Sequence, residues 1–226
     1  MTKDGIYQIA IDGPAGSGKS TIAKIVAGKL GIDYIDTGAM YRAFACKIRD
    51  AGIDMYDEKA LGQLLAETDI DFSKGATLLD GRDVSGIIRT PEVSMLASKC
   101  SAIAAVRTKL VALQQKMGES KSVIMDGRDI GTVVFPKAEL KFFLVASPEE
   151  RANRRLKELL EKGEKVTFEE VLADINTRDH NDTTRAVTPL RKADDALEID
   201  TTELNIEQVT EKILEEVRKH GYSKTI

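Results

Sequence analysis

Eight consecutive residues, Gly13-Pro14-Ala15-Gly16-Ser17-Gly18-Lys19-Ser20, satisfy the pattern G-x-x-x-x-G-K-[ST] and put backbone amides, an ammonium and a hydroxyl in one short stretch. The glycines let such a loop fold inward until its N–H groups converge, and a helix starting there adds the positive end of its dipole. The chemistry is anion binding. Lys19 is expected to reach the β- and γ-phosphates of a nucleoside triphosphate and Ser20 to ligate Mg²⁺, with Thr21 counted in the same site. A hydrated Mg²⁺ also wants a carboxylate, and Asp126, after the apolar run of residues 122–125, is assigned to it.

Around this loop the chain spreads arginines over separate segments: Arg42, Arg107, Arg128, Arg178 and Arg185. Five guanidiniums exceed what one triphosphate needs, and they suit a second phosphorylated substrate. Asp36-Thr37-Gly38 precedes Tyr41 and Arg42, and Thr37 is read as the cap of the helix that follows and as a phosphate contact. The string Asp80-Gly81-Arg82-Asp83-Val84 recurs as Asp126-Gly127-Arg128-Asp129-Ile130. Only the second copy follows a buried-strand pattern, so Arg128 and Asp129 receive the chemistry and Arg82 and Asp83 a turn. Arg151, Arg154 and Arg155 share a helix face at i, i+3 and i+4, and Arg154 is assigned to the triphosphate.

The elements that must position these groups read as an alternation of strands and helices. Strands are expected at residues 7–11, 32–35, 122–125, 140–146 and 196–199, and the intervening helical patterns predict a three-layer α/β fold with a five-stranded parallel sheet. Helices are expected at 21–30, 41–50 and 58–67, as one long helix at 93–117 carrying both Ser98 and Arg107, and at 206–220. Between residues 70 and 88, Asp80-Gly81 flanked by β-like segments predicts a small antiparallel insertion. Ser147-Pro148-Glu149-Glu150 and Thr167 to Glu170 read as capping boxes either side of Gly163, giving two arginine-rich helices that would form a mobile cover over phosphates. His180 and His220 fall at surface positions and receive no role.

Composition narrows the classes. The 226 residues are 42% hydrophobic, enough for a sizeable core, and the net charge of -4 argues against long nucleic acids as partners. Cys46 and Cys100, the only cysteines, fit small core residues in a reducing cytosol. No apolar run is long enough to cross a membrane, and residues 1–5 lack the start of an export signal, so a cytoplasmic protein is expected. GTPase-type switches need an N-K-x-D tetrapeptide for guanine, and none occurs.

Four stretches carry a family resemblance: Ile9-Ala10-Ile11-Asp12-Gly13-Pro14; Asp36 to Arg42; Asp126 to Pro136, the most specific; and Arg185-Ala186-Val187-Thr188-Pro189-Leu190. They resemble the bacterial cytidylate kinases, P-loop nucleoside monophosphate kinases, over nearly the whole chain. The resemblance implies ATP as phosphoryl donor with Mg²⁺, and CMP and dCMP as acceptors. It also implies a monomeric P-loop kinase fold whose single domain carries an NMP-binding β-hairpin insertion at about 69–93 and a helical lid at about 151–169. Carried over by position, Thr37, Arg42, Arg128 and Arg185 resemble the groups that hold the acceptor phosphate and the phosphoryl group in flight, and Lys19, Arg128 and Arg185 are the implied catalytic residues. Tyr41 would pack near the nucleotide, Ser98, Arg107 and Asp129 resemble the cytosine readers, and Arg178 with Asp182 the ribose contacts. A kinase for another small acceptor such as UMP, and a nucleotide-binding switch without transfer activity, remain the alternatives.

Overall fold

A computed structural model describes residues 6–73 and 75–221; residues 1–5, read above for an export signal, lie outside them. Along the chain run β1 (Gln8–Asp12), α1 (Lys19–Leu30), β2 (Asp33–Asp36), α2 (Thr37–Ala51), α3 (Glu58–Ala66), β3 (Ile70–Ser73), β4 (Ala76–Leu79) and β5 (Arg82–Asp83). Then come α4 (Pro91–Cys100), α5 (Ala104–Met117), β6 (Val123–Gly127), β7 (Leu140–Val145), α6 (Pro148–Glu161), α7 (Phe168–Thr184), β8 (Leu197–Asp200) and α8 (Ile206–Lys219). A five-stranded sheet has the order β2-β6-β1-β7-β8. Two compact units result, Met1–Tyr34 with Gly118–Ile226, and Ile35–Met117.

In the first unit β1 is central because its residues are apolar on both faces, as a strand sandwiched by helices must be. Ile9 lies opposite Ile124 on one side and Leu140 on the other, all parallel, and Phe142 of β7 lies opposite Leu197 of β8. Ile9, Ile11, Ile124, Phe142 and Leu144 pack with Ile22 and Val26 of α1 and with Val209, Ile213 and Val217 of α8. Each such fully buried side chain contributes about 1.5–3 kcal/mol. The result is a stiff sheet whose strands β1 and β6 end side by side, Asp12 opposite Gly127. A second, small cluster joins Ala152 of α6 to Val171 and Ile175 of α7, so these helices pair with each other through their own apolar contacts.

α6 starts differently from its sequence pattern. Ser147 accepts the Glu150 N–H at 3.1 Å, but the Glu150 carboxylate turns to Arg154 at 2.9 Å and the Ser147 N–H donates to Thr202 instead. Only half of the expected box forms there. At α7 both halves close, between Thr167 and Glu170.

In the second unit the Asp-Gly turn is as read: Asp80 (φ 50°) and Gly81 (φ 78°) are both left-handed, as a two-residue hairpin requires, and β3-β4-β5 form an antiparallel sheet. α2 begins earlier than expected, and its cap is Asp36, whose carboxylate accepts the Ala39 N–H at 2.8 Å. A carboxylate suits the positive helix end better than a hydroxyl, and Thr37 is left as the buried first helical residue. The long helix expected at 93–117 is two, α4 and α5. The Ser101 hydroxyl donates to the Ser98 carbonyl at 2.8 Å and Arg107 donates to the Ser101 carbonyl at 3.1 Å, so side chains compete for the backbone where the helix would have continued. Ser98 and Arg107 therefore sit on separate helices, and helical spacing no longer relates them. Cys46 and Cys100 are free and buried. Among the described residues no helix is long and apolar enough to cross a membrane.

Candidate active site

The phosphate loop leaves β1 through Gly13, whose φ of 146° and lack of a side chain are both required. A Cβ there would lie 2.1 Å from the Leu144 carbonyl oxygen of the neighbouring strand. Gly13→Ala should destabilise the fold by about 3 kcal/mol or more, from overlap and backbone strain together. A urea midpoint within error of the unaltered chain would contradict this. Gly16 is also left-handed, and a Cβ on it would meet Arg151 Cβ at 3.1 Å, so α6 sits directly against the loop.

Lys19 opens α1 and is 5% exposed. Its ammonium donates to the Pro14 carbonyl at 2.5 Å and to Ser17 Oγ at 3.2 Å, which keeps it inside the loop's own curve. Burial, with the Arg128 guanidinium adding to it, pushes this ammonium down to about 7 against the pull of Asp126, Asp182 and Asp12. A buried ammonium of this kind would gain from a neighbouring anion. Beside it Ser20 Oγ donates to Asp126 Oδ2 at 2.7 Å, and Tyr34 donates to Asp126 Oδ1 at 2.8 Å. Among the described residues no three His, Cys, Asp or Glu side chains gather as a metal cluster. A hydroxyl next to one carboxylate nevertheless suits Mg²⁺, a hard cation that keeps several of its waters.

A second group of charges is built just past the end of β6 and at the end of α7. Arg128 Nε donates to Asp182 Oδ2 at 2.6 Å, and Arg185 reaches the other oxygen of that carboxylate at 3.7 Å. Burial alone would lift the Asp182 carboxyl, but Arg128 and then Arg185 and Lys19 hold it below the usual carboxylate range. Arg185 Nε donates to the Thr188 carbonyl at 2.7 Å. Thr188 stands at φ 47°, which is costly for a β-branched residue, and backbone strain of this kind collects at functional sites. Arg178 pairs one turn back with Asp174 at 3.0 Å. Asp129, 4% exposed, precedes a single π turn, Ile130–Val134, of the kind often found at functional sites.

Of the three arginines on α6, each has its own partner. Arg151 is 3% exposed, grips the Asp179 carboxylate of α7 at 3.0 and 2.6 Å and donates to the Ala15 carbonyl of the phosphate loop at 3.0 Å. Arg154 donates to Thr201 through its carbonyl at 2.6 Å and its hydroxyl at 3.1 Å, and Arg155 pairs with Glu158. Sequence reasoning gave Arg151 no separate role. Its contact with Ala15 spans 136 residues, a distance at which local pattern carries no signal.

In the second unit Thr37 is buried at the start of α2, and Arg42 one turn later pairs with Asp36 at 3.2 Å. Arg89, which the sequence reading passed over, joins the same carboxylate at 2.9 Å. The Arg107 guanidinium stacks over the Tyr41 ring at 5.5 Å from its centroid, a cation–π pair of two predicted substrate residues. Ser98 lies partly exposed on α4.

Comparison with known proteins identifies the family. The family described as cytidylate kinase matches residues 9–219. A cytidylate kinase of Clostridioides difficile (strain 630) is 54% identical over 209 residues, covering 92% of this chain and 97% of that one. One of Carboxydothermus hydrogenoformans is 52% identical over 212 residues, covering 92% and 96%. Among solved structures, a gluconokinase from Sinorhizobium meliloti 1021 aligns with a TM-score of 0.51 at 13% identity, covering 94% of this chain and 92% of that one. A shikimate kinase from Bacteroides thetaiotaomicron gives 0.50 at 14%, covering 94% and 98%. Those two likenesses concern the α/β kinase fold alone. With the family match running from β1 to the end of α8, the chain belongs to the cytidylate kinase family.

Proposed function

We propose that the protein transfers the γ-phosphoryl group of ATP to CMP and dCMP, giving CDP and dCDP. The observation that carries this reading is the family match over residues 9–219, joined to a loop in which Lys19 and the Ser20–Asp126 pair stand beside Arg128. An oxygen of the acceptor phosphate attacks the γ-phosphorus, the bond to the β-γ bridging oxygen breaks, and ADP leaves. Such a transfer needs in-line placement and positive charge around the equatorial oxygens more than it needs a general base.

The residues divide accordingly. Gly13, Pro14, Ala15, Gly16, Ser17, Gly18, Lys19, Ser20, Thr21 and Arg154 bind ATP. Ser20 and, through water, Asp126 would hold Mg²⁺, which when bound would neutralise charge on the phosphates. Thr37, Arg42, Arg128 and Arg185 take the acceptor phosphate, Tyr41 packs near the nucleotide, and Arg178 and Asp182 take its ribose. Ser98, Arg107 and Asp129 read the base. Cytosine offers an exocyclic amino donor that a carboxylate accepts; uracil offers a carbonyl there, which Asp129 would repel. The expected working unit is a cytoplasmic monomer in which residues 151–169 act as lid and 69–93 as the NMP-binding insertion. Closure of a lid over the phosphates would exclude water and suppress hydrolysis.

The direct test is whether ATP consumption depends on CMP. Added CMP should raise it by orders of magnitude and yield CDP in equal amount. Consumption indifferent to CMP would favour the nucleotide-binding switch.

A further inference from the structure

Among the described residues, Asp12 is a buried carboxylate that has none of the roles above. Asp12 ends β1 immediately before Gly13, and it is 4% exposed. Its Oδ1 accepts the Ile130 N–H at 2.9 Å and its Oδ2 accepts the Gly131 N–H at 2.7 Å. Those amides open the π turn, and the first N–H groups of any helical turn lack partners within it. The turn's own bonds are supplied later, by Val133 and Val134 to the Asp129 carbonyl and by Phe135 to the Ile130 carbonyl. Asp12 thus supplies the acceptors that the turn itself cannot. The fit is close: a Cβ on Gly131 would stand 3.4 Å from Asp12 Oδ2 and 3.1 Å from Lys141 Cδ.

A carboxylate in this place is an expensive way to satisfy two amides. Burial, with the Asp129 charge adding to it, pushes the Asp12 carboxyl up to about 6, against the Gly131 and Ile130 amides and Lys19. Two acidic groups have been brought together where either alone would sit more easily. An asparagine would offer one oxygen and turn its amino group towards the other N–H.

We propose that Asp12 is a positioning residue: by holding the Ile130 and Gly131 amides it fixes Asp129 relative to the end of β1, and so keeps the base-reading carboxylate in register with the phosphate loop. This rests on the reading of Asp129 as a CMP contact. Small displacements of a positioning group can cost about a hundredfold in rate.

The test is a double-mutant cycle in the full chain, with KM for CMP and for ATP measured separately for Asp12→Ala, Asp12→Asn, Asp129→Ala and the Asp12→Ala/Asp129→Ala pair. Asp12→Ala should raise KM for CMP about tenfold or more and change KM for ATP far less. Asp12→Asn, keeping one acceptor oxygen, should fall between, and the double variant should be no worse towards CMP than Asp129→Ala alone. Equal losses towards both nucleotides, or losses that simply add, would overturn the proposal and leave Asp12 a support of the fold or loop. If Asp129→Ala itself leaves KM for CMP unchanged, the base-reading assignment fails, and this inference with it, in a variant whose Asp12 is intact. Should Asp12→Ala not fold, amide exchange in Asp12→Asn decides: faster exchange at Ile130 and Gly131 with unchanged exchange at residues 16–19 supports the proposal, and unaltered protection at those two amides refutes it.

Discussion

Lys19→Met lowers kcat by about two to three orders of magnitude and leaves the fold intact. The ammonium is buried and already driven down to about 7, so its charge is a burden to the unliganded fold and not a support. Among the described residues its hydrogen bonds reach only Pro14 and Ser17 of its own loop. Methionine has a similar reach and no charge to desolvate, so the unfolding midpoint should hold or rise. The loss falls on the step in which charge spreads over the transferred group, where a preplaced cation in a water-poor site matters most. Turnover near that of the unaltered chain, measured at saturating ATP and CMP, would contradict the role.

Arg128→Met should cost at least as much, about a thousandfold in kcat, and here stability should move as well. Arg128 holds the Asp182 carboxylate at 2.6 Å, leaving Arg185, at 3.7 Å, and the weaker pull of Lys19 once it is gone. A half-buried charge stripped of its main partner costs about 1–3 kcal/mol at neutral pH. The sign with pH follows from Asp182, whose carboxyl lies below its ordinary value in the intact fold. A depressed carboxyl stabilises the fold above its unfolded value, near 3.8, and that stabilisation is lost as pH falls through the folded one. The deficit of Arg128→Met should therefore be largest at pH 7 and shrink below pH 4, as urea titrations at the two values would show. A deficit that stays constant with pH would mean that Arg128 does not hold the Asp182 charge.

What the amino-acid sequence discloses here is what short-range physics determines. The loop at 13–20 is legible because glycine spacing, lysine and helix start lie within eight residues, and the turn at Asp80-Gly81 because two left-handed positions need those residue types. The capping box at Thr167 is legible for the same reason, whereas that at Ser147 is half-formed because Arg154, on the next turn, competes for Glu150. The break between α4 and α5 has no glycine or proline to announce it. It is made by Ser101 and Arg107, ordinary helix residues until their side chains find backbone carbonyls. Longer links leave no local trace at all: Asp12 to Ile130, Arg151 to Ala15 and Tyr34 to Asp126 join residues about a hundred positions apart. Residues within one motif can be grouped from spacing, whereas the contacts that hold the motifs to one another are visible only in the folded chain.

If the Asp129 carboxylate chooses among bases, as proposed, kcat/KM across acceptors at fixed ATP shows it most directly. CMP and dCMP should be phosphorylated at least a hundredfold more efficiently than UMP, with AMP and shikimate lower still. UMP turned over as well as CMP would contradict it, whatever the phosphate loop does.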